Sequence, residues 1–521
     1  MDRRSRPVWA LDLPLLGVLL TAVAFRLWHL DVPLIDGHSW RQVTNADIAR
    51  HFAEGSLDLF HPRVSWGGVD GVVGMEFPLL QWITGALWRL TSESHVIARL
   101  VAAGFSVAGV ACMYGLGARL FGRAAGLAAA SLMAVSPSVT FFGRSFLSDT
   151  PMLTFMVAAV WAWDAYFERP TWRRAVVAGA LAALASLVKL PAILVLAPIA
   201  GVGWRHRRWG VLTDRTAWTC LTAAVALTAA WYWHADRIFL ETGLTQAVFR
   251  PSGTYPVEVA PGVTFVSVSH WATRARLLSG EAWLQFLDRF WMLHLTTLGA
   301  AGALLGFWQA RRHAARAAVD MWTLGALALF LVAIEGQYWH EFHQLPLLPP
   351  LMLYFGVAAA PLFDPEWQRR RMPHMVGPLA LALIGVLVAV QGMRASGAQT
   401  HLYRMDNLQQ RYVRAGEAVR GATNPGGLIV TVEYIDGGAN SPMLLYFAHR
   451  QGWSFDVRSV TAPEVEFLRA RHGARYFATA DWDDLVAVKP DVAALLSQRF
   501  KQIPLPQGLD GARLFDLATA R

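Results

Sequence analysis

Long apolar runs separated by short polar stretches dominate the chain. They fall at residues 8–30, 96–117, 124–142, 150–167, 174–189, 190–204, 216–234, 290–309, 320–335, 344–361 and 374–393. Each approaches the roughly 20 residues that a helix needs to cross about 30 Å of hydrocarbon. The pattern predicts a mainly α, polytopic membrane protein of about eleven transmembrane helices. The first run follows a basic start, MDRRSRP. It is longer than the apolar core of a signal peptide, and no small-residue cleavage site follows it, so it reads as an uncleaved span. Arg26 lies near its outer end, placed either to reach the interface or to face a site. Residues 174–204 divide at Lys189 and Pro191, which mark a turn or a kink.

After residue 394 the pattern changes. Apolar runs shorten to GLIVTVEY, MLLYFAH and ARYFATA, punctuated by Gly, Asp and Asn. Helix-like pieces, NLQQRYVRAGEAVR and PEVEFLRARHG, lie between them. This reads as a small α/β domain over 395–521, following a membrane domain over 1–394. The tail holds no Gly-rich phosphate fingerprint, so its expected roles are binding, positioning or stability.

Composition and charge then orient the chain. Only 16% of its 521 residues are charged, against about 25% in a soluble protein. The 23 tryptophans suit the two membrane interfaces. The net charge of +9 does not point to nucleic acid, because the arginines sit in short clusters between apolar runs. The loops that begin at Arg3, Arg119, Arg169, Arg205, Arg311 and Arg369 all fall on one side, which the positive-inside rule makes cytoplasmic. The N-terminus is then cytoplasmic, and loop 31–95 and the tail lie outside. Cys112 and Cys220 sit in apolar runs and read as small buried hydrophobes. The segment FRPSGTYPVEVAPGVTF, within the long outer loop 235–289, is rich in turn formers.

The candidate chemistry falls on the outer side. Loop 31–95 gathers Asp36, His38, Trp40, Arg41, Gln42, Asp47 and Glu76. Asp36 has two readings: a general base at the membrane surface, or the cap of a helix that starts near Ser39. His38 forms a D-x-H pair with Asp36, as a metal ligand or as a hydrogen-bonded interface histidine. Glu76 precedes an amphipathic piece at 78–90, as a carboxylate favoured by the helix dipole or as a site acid. Asp47 is expected on the solvated face of a helix over 40–54.

The next outer loop, RSFLSDTP, brings Arg144 against the charge bias, and Asp149 as a helix cap or a site carboxylate. Lys189 is a cation at the edge of hydrocarbon, placed to snorkel or to serve a site. The stretch EGQYWHEFHQLPLLPP, with Tyr338, His340, His343 and Gln344, reads as a substrate-pocket wall. Together these groups suit an anionic phosphate at headgroup level and a hydroxyl-bearing second substrate. Arg144, Lys189 and Arg41 are the candidate phosphate-binding cations. A leaving phosphate needs cations more than a proton donor, and the acceptor hydroxyl needs one base. Asp36 and Glu76, with His38, are the residues able to hold a divalent ion such as Mg²⁺ or Mn²⁺. The rival reading is a transporter or flippase of a lipid-linked sugar. It would place ionisable groups near the midplane and show paired halves, and neither is visible here.

The order of these motifs resembles that of the GT-C class of integral-membrane glycosyltransferases, specifically the bacterial family-39-like proteins. Those proteins are similar to protein O-mannosyltransferases and to the aminoarabinose transferases that modify lipid A. The matching features run over about 10–394: Asp36 in DGHSWRQ, Glu76 to Trp82, Arg144 to Asp149, Lys189 to Pro191, and Tyr338 to Pro349. Two positions depart from the pattern. Gly37 stands where many relatives carry a second acid, and Phe77 stands where they carry a lysine. The resemblance implies a GT-C fold in the bacterial inner membrane with a periplasmic tail domain. It further implies a polyprenyl-phosphate-linked sugar donor, a glycan, lipid A or protein acceptor, and inversion at the anomeric carbon. By match, Asp36 is the base with Asp149 beside it, Glu76 is a site carboxylate, and Arg144 and Lys189 lie near the donor phosphate.

Overall fold

Helices overlie ten of the eleven predicted runs in the computed structural model of the protein. The residues described are 12–246, 270–364, 366, 367, 370, 402, 403, 407–433 and 441–520. The eleventh run, 374–393, the basic start and the segment FRPSGTYPVEVAPGVTF lie outside them. By length and hydropathy, His95–Phe121 and Glu341–Phe363 are able to cross a membrane. Two bent pairs raise that number to four if each pair is one span: Arg123–Val135 with Pro137–Arg144 (63°), and Gly280–His294 with Thr296–Arg312 (101°).

The chain divides into two compact units. One draws on Met1–Leu30, Ala102–Leu227 and His270–His401, and is helical. Its breaks have local causes. Pro137 ends the helix Arg123–Val135 by removing a donor and crowding the preceding turn. The carbonyls freed at this bend are satisfied from the first helix, Leu13–Leu27. Its Arg26 is fully buried and donates to Ala134 O (3.0 Å), Met133 O (3.4 Å), Ala22 O (3.0 Å) and Ser106 Oγ (2.6 Å). Arg26 therefore neither snorkels nor faces a site; it repairs backbone that lipid could not solvate. Pro191 breaks Trp172–Val188 from Leu196–Arg207 through a 3₁₀ turn, Leu190–Val195. A third break follows a π-helical turn, Arg289–His294, and is entered through Thr296 at φ +63°, strained for a β-branched residue.

The second unit draws on Asp31–Val101, Thr228–Ser269 and Leu402–Arg521, so the first outer loop and the tail fold together. The tail carries a five-stranded sheet of β1 (Leu428–Glu433), β2 (Gly452–Asp456), β3 (Ala474–Thr479), β4 (Phe500–Ile503) and β5 (Arg513–Ala520), in the order β2-β1-β3-β5-β4. β1 is parallel to β2 and β3, and β5 is antiparallel to β3 and β4. The apolar run MLLYFAH forms a helix, Met443–Ala448. It packs against Asn407–Ala422, where Gly416 leaves room for Phe447.

The outer loop joins this sheet at its edge. Gly452 N donates to Ser65 O and Gly68 N donates to Gly452 O, both at 2.8 Å. Gly71 makes the turn possible at φ +55°, where a Cβ would strike Val64 O. The helix Ser39–Glu54 is wrapped by this loop. Asp47 is therefore not solvated as expected: it is fully buried and accepts from Ser65 N (2.7 Å) and Ser65 Oγ (2.5 Å). Arg50 of the same helix donates to both oxygens of Glu93 (2.7 and 2.8 Å) and to Tyr446 O (2.7 Å).

Glu433, at the end of β1, is buried and accepts from Ser441 Oγ (2.7 Å) and Leu444 N (2.8 Å). Burial pushes its carboxyl up to about 8, against those two hydrogen bonds. An acid raised from its unfolded value of about 4.3 binds its proton more tightly when folded. Its contribution is therefore fully present below that value and is lost as the pH rises through about 8. The tail is expected to lose a few kcal/mol, on the order of 3–5, between pH 5 and pH 8.5. Glu433→Gln should flatten that slope, as read by limited proteolysis against urea at the two pH values. An unchanged slope would show that Glu433 is already charged at neutral pH.

Candidate active site

Asp36 stands in the turn between the first helix and Ser39–Glu54, 2% exposed. It does not cap that helix: the N-cap position is His38, in left-handed conformation, and no side chain caps it. The carboxylate instead accepts from Gln42 Nε2 (2.7 Å) and Arg99 NH2 (3.2 Å). Gln42 lies one turn into the helix, which brings its amide back over the entry turn. Arg99 also donates to Val32 O (3.2 Å) and Pro33 O (2.9 Å), fixing the turn that carries Asp36. Gly37 N donates to Leu402 O (2.7 Å), and a Cβ at Gly37 would crowd that backbone. The close approach of the Leu402 backbone favours glycine at this position.

Arg41 and Glu76 meet in the same unit. Arg41 NH2 lies 3.0 and 2.9 Å from the two oxygens of Glu76, which is 4% exposed. Arg41 NH1 donates to Gln246 Oε1 (2.7 Å), and its guanidinium sits 5.9 Å from the Trp40 ring. Glu76 is thus an ion-pair partner rather than a helix-end carboxylate. Phe77 packs edge-on against Trp231, with ring centroids 4.9 Å apart, so its side chain belongs to an aromatic contact.

The helical unit holds the other candidates. Lys189 follows the end of Trp172–Val188 in extended backbone, 7% exposed. Its Nζ donates to both oxygens of Asp149 at 2.7 Å and lies 4.6 Å from the Phe342 ring. Lys189 therefore does not snorkel. Asp149 is the first residue of Asp149–Glu168 rather than its cap, which is Ser148. Arg144 ends Pro137–Arg144, is 1% exposed, and donates to His29 O (3.1 Å).

The histidines of the stretch 335–344 gather around Phe342. His340 stacks on it at 5.0 Å, and His343 lies 4.7 Å away. His270 joins them, 6.2 Å from His340 and 5.5 Å from His343 by ring centroid. Tyr338 lies under the Arg276 guanidinium at 3.4 Å. Gln344 accepts from His294 Nε2 (2.8 Å) and donates to Gln337 O (2.9 Å).

Four residues escaped the sequence reading. Arg99 carried a usable signal, as a cation in the first turn of an apolar span. Gln246, His270 and His294 carried none: each acts on a residue from 50 to 205 positions away or on another loop. Among the described residues, three carboxylate or imidazole ligand atoms come within 4.8 Å of one another at Glu54, Glu93 and His449. Asp36 and Glu76 lie outside this set; they meet guanidinium groups, as Glu93 meets that of Arg50.

The Dolichyl-phosphate-mannose-protein mannosyltransferase family matches residues 76–233. No curated protein sequence matches the chain. Among solved structures, ArnT from Cupriavidus metallidurans bound to undecaprenyl phosphate is similar at 14% identity, TM-score 0.61, covering 96% of this chain and 97% of that one. The archaeal oligosaccharyltransferase AglB from Archaeoglobus fulgidus, in complex with an inhibitory peptide and a dolichol-phosphate, is similar at 12% identity, TM-score 0.54, covering 94% of this chain and 72% of that one. The arabinofuranosyltransferase AftD from Mycobacteria is similar at 14% identity, TM-score 0.56, covering 97% of this chain and 41% of that one. The chain shares the GT-C fold of these structures.

Proposed function

We propose that the protein transfers one sugar from a polyprenyl-phosphate carrier to an acceptor hydroxyl at the periplasmic face of the bacterial inner membrane, with inversion. The observation that carries the reading is Asp36: a buried carboxylate held in one orientation by Gln42 and Arg99. In this reading the acceptor oxygen attacks the anomeric carbon as the bond from that carbon to the phosphate oxygen breaks. Asp36 takes the hydroxyl proton. The carrier leaves as a phosphate with one more negative charge, which Lys189 and Arg144 stabilise. His340 and His343, with Tyr338 and Gln344, line the substrate pocket, and Asp149 holds Lys189 in place. Arg41 and Glu76 neutralise each other, so their part is to position the loop. A divalent ion, where one is used, would supply charge to the phosphate. Among the described residues, Asp36 and Glu76 do not come together in a set of three ligand atoms, so they offer it no three-ligand cradle.

Mass spectrometry of envelope lipids, polysaccharides and proteins, with and without this chain, tests the proposal. One class of acceptor is expected to lose a single sugar mass in the deletion and regain it on complementation. Unchanged acceptors, with polyprenyl-linked sugar accumulating on one leaflet, would replace transfer by flipping.

A further inference from the structure

Glu54, Glu93 and His449 come from three separate stretches of the second unit: the end of Ser39–Glu54, the turn before His95–Phe121, and the C-cap of Met443–Ala448. Their ligand atoms lie within 4.8 Å of one another. Around a tetrahedral ion with bonds of about 2.0–2.1 Å, ligand atoms sit about 3.3 Å apart. Closing the set takes a small rotation of Glu54, which is exposed and last in its helix.

Glu93 is already aimed. Arg50 and the Tyr446 hydroxyl (2.6 Å) both donate to its Oε1, while among the described residues Oε2 accepts from Arg50 Nε alone, which leaves that oxygen a lone pair. Such outer contacts are what orient a ligating carboxylate. His449 occupies left-handed backbone, φ +49°, a position glycine would take without cost, and here it carries an imidazole. Glu54 and His449 also line a cavity of about 210 Å³ whose wall includes His51, Ser65, Gly426 and Gly427. The cavity gives the set an open side.

We infer that Glu54, Glu93 and His449 form a divalent transition-metal site, of the zinc class, that clips the outer loop to the tail domain and keeps one coordination position toward the cavity. One imidazole with two carboxylates selects zinc-like ions over magnesium, which keeps more water and prefers oxygen ligands alone. The inference stands apart from the transfer reading.

The test uses the full chain in detergent, stripped with EDTA and dialysed against zinc. Bound zinc is expected at about one per chain, with Glu54→Gln and His449→Gln each weakening affinity by 10-fold or more. Zinc should raise the thermal midpoint of the wild type by about 5 °C and leave both variants unmoved. The exposed pair Asp58 and His61 is the control: Asp58→Asn should change nothing. X-ray absorption on the wild type needs no variant, and is expected to show one imidazole nitrogen among oxygen ligands. Zinc lost on Asp58→Asn, zinc kept in both site variants, or a shell of two or more imidazoles would each overturn the assignment.

Discussion

Asp36→Asn is expected to lower sugar transfer by about 10²–10⁴-fold, the range that a positioned general base contributes. The substitution keeps the shape and the Gln42 contact but removes the proton acceptor. It also leaves Arg99 buried without its anion, and an unpaired buried charge costs about 3–5 kcal/mol. Arg99 keeps its bonds to the carbonyls of Val32 and Pro33, so part of that loss is absorbed. The double variant Asp36→Asn, Arg99→Gln separates the roles. Its thermal midpoint should recover toward wild type, because neither charge remains, while transfer stays low and donor binding is retained. If transfer returned together with stability, Asp36 would be an anchor for Arg99 and the base would have to be sought elsewhere.

Lys189→Met is the second large effect. It removes the cation paired with Asp149, which is 2% exposed, and should destabilise the protein by about 3–5 kcal/mol. Adding Asp149→Asn removes the buried negative charge and should restore most of that stability. Lys189 carries three donors and Asp149 takes two, so the third is available to an incoming phosphate oxygen. The stabilised double variant should therefore still transfer about 10²–10³-fold more slowly, as expected when one donor to a developing anion is removed. The measurements are thermal unfolding and single-turnover transfer against donor concentration. Restored transfer in the double variant would make the pair structural.

These expectations show where local information ends. The break at Pro191 was legible because a proline acts within one turn of itself, whereas the bend at Pro137 falls inside the run 124–142, which reads as one span. The amphipathic helix Leu79–Leu90 and the helix Ser39–Glu54 were legible for the same reason, since periodicity needs only neighbours. The capping readings of Asp36 and Asp149 failed on partners that no window contains. Arg99 is 63 residues from Asp36, and Lys189 is 40 residues from Asp149. Asp47 looked solvated because its helix is polar, and only the loop that wraps it takes it out of water.

The sequence by itself determined which segments are apolar and that a helix breaks at Pro191, because these depend on hydrophobicity and backbone sterics over a few residues. Only the tertiary structure decided which charge meets which. It paired Asp36 with Arg99, Glu76 with Arg41 and Asp149 with Lys189, and it folded the outer loop and the tail into one unit. A buried charge takes whichever opposite charge the packing brings within a few ångströms, and chain distance has no part in that choice.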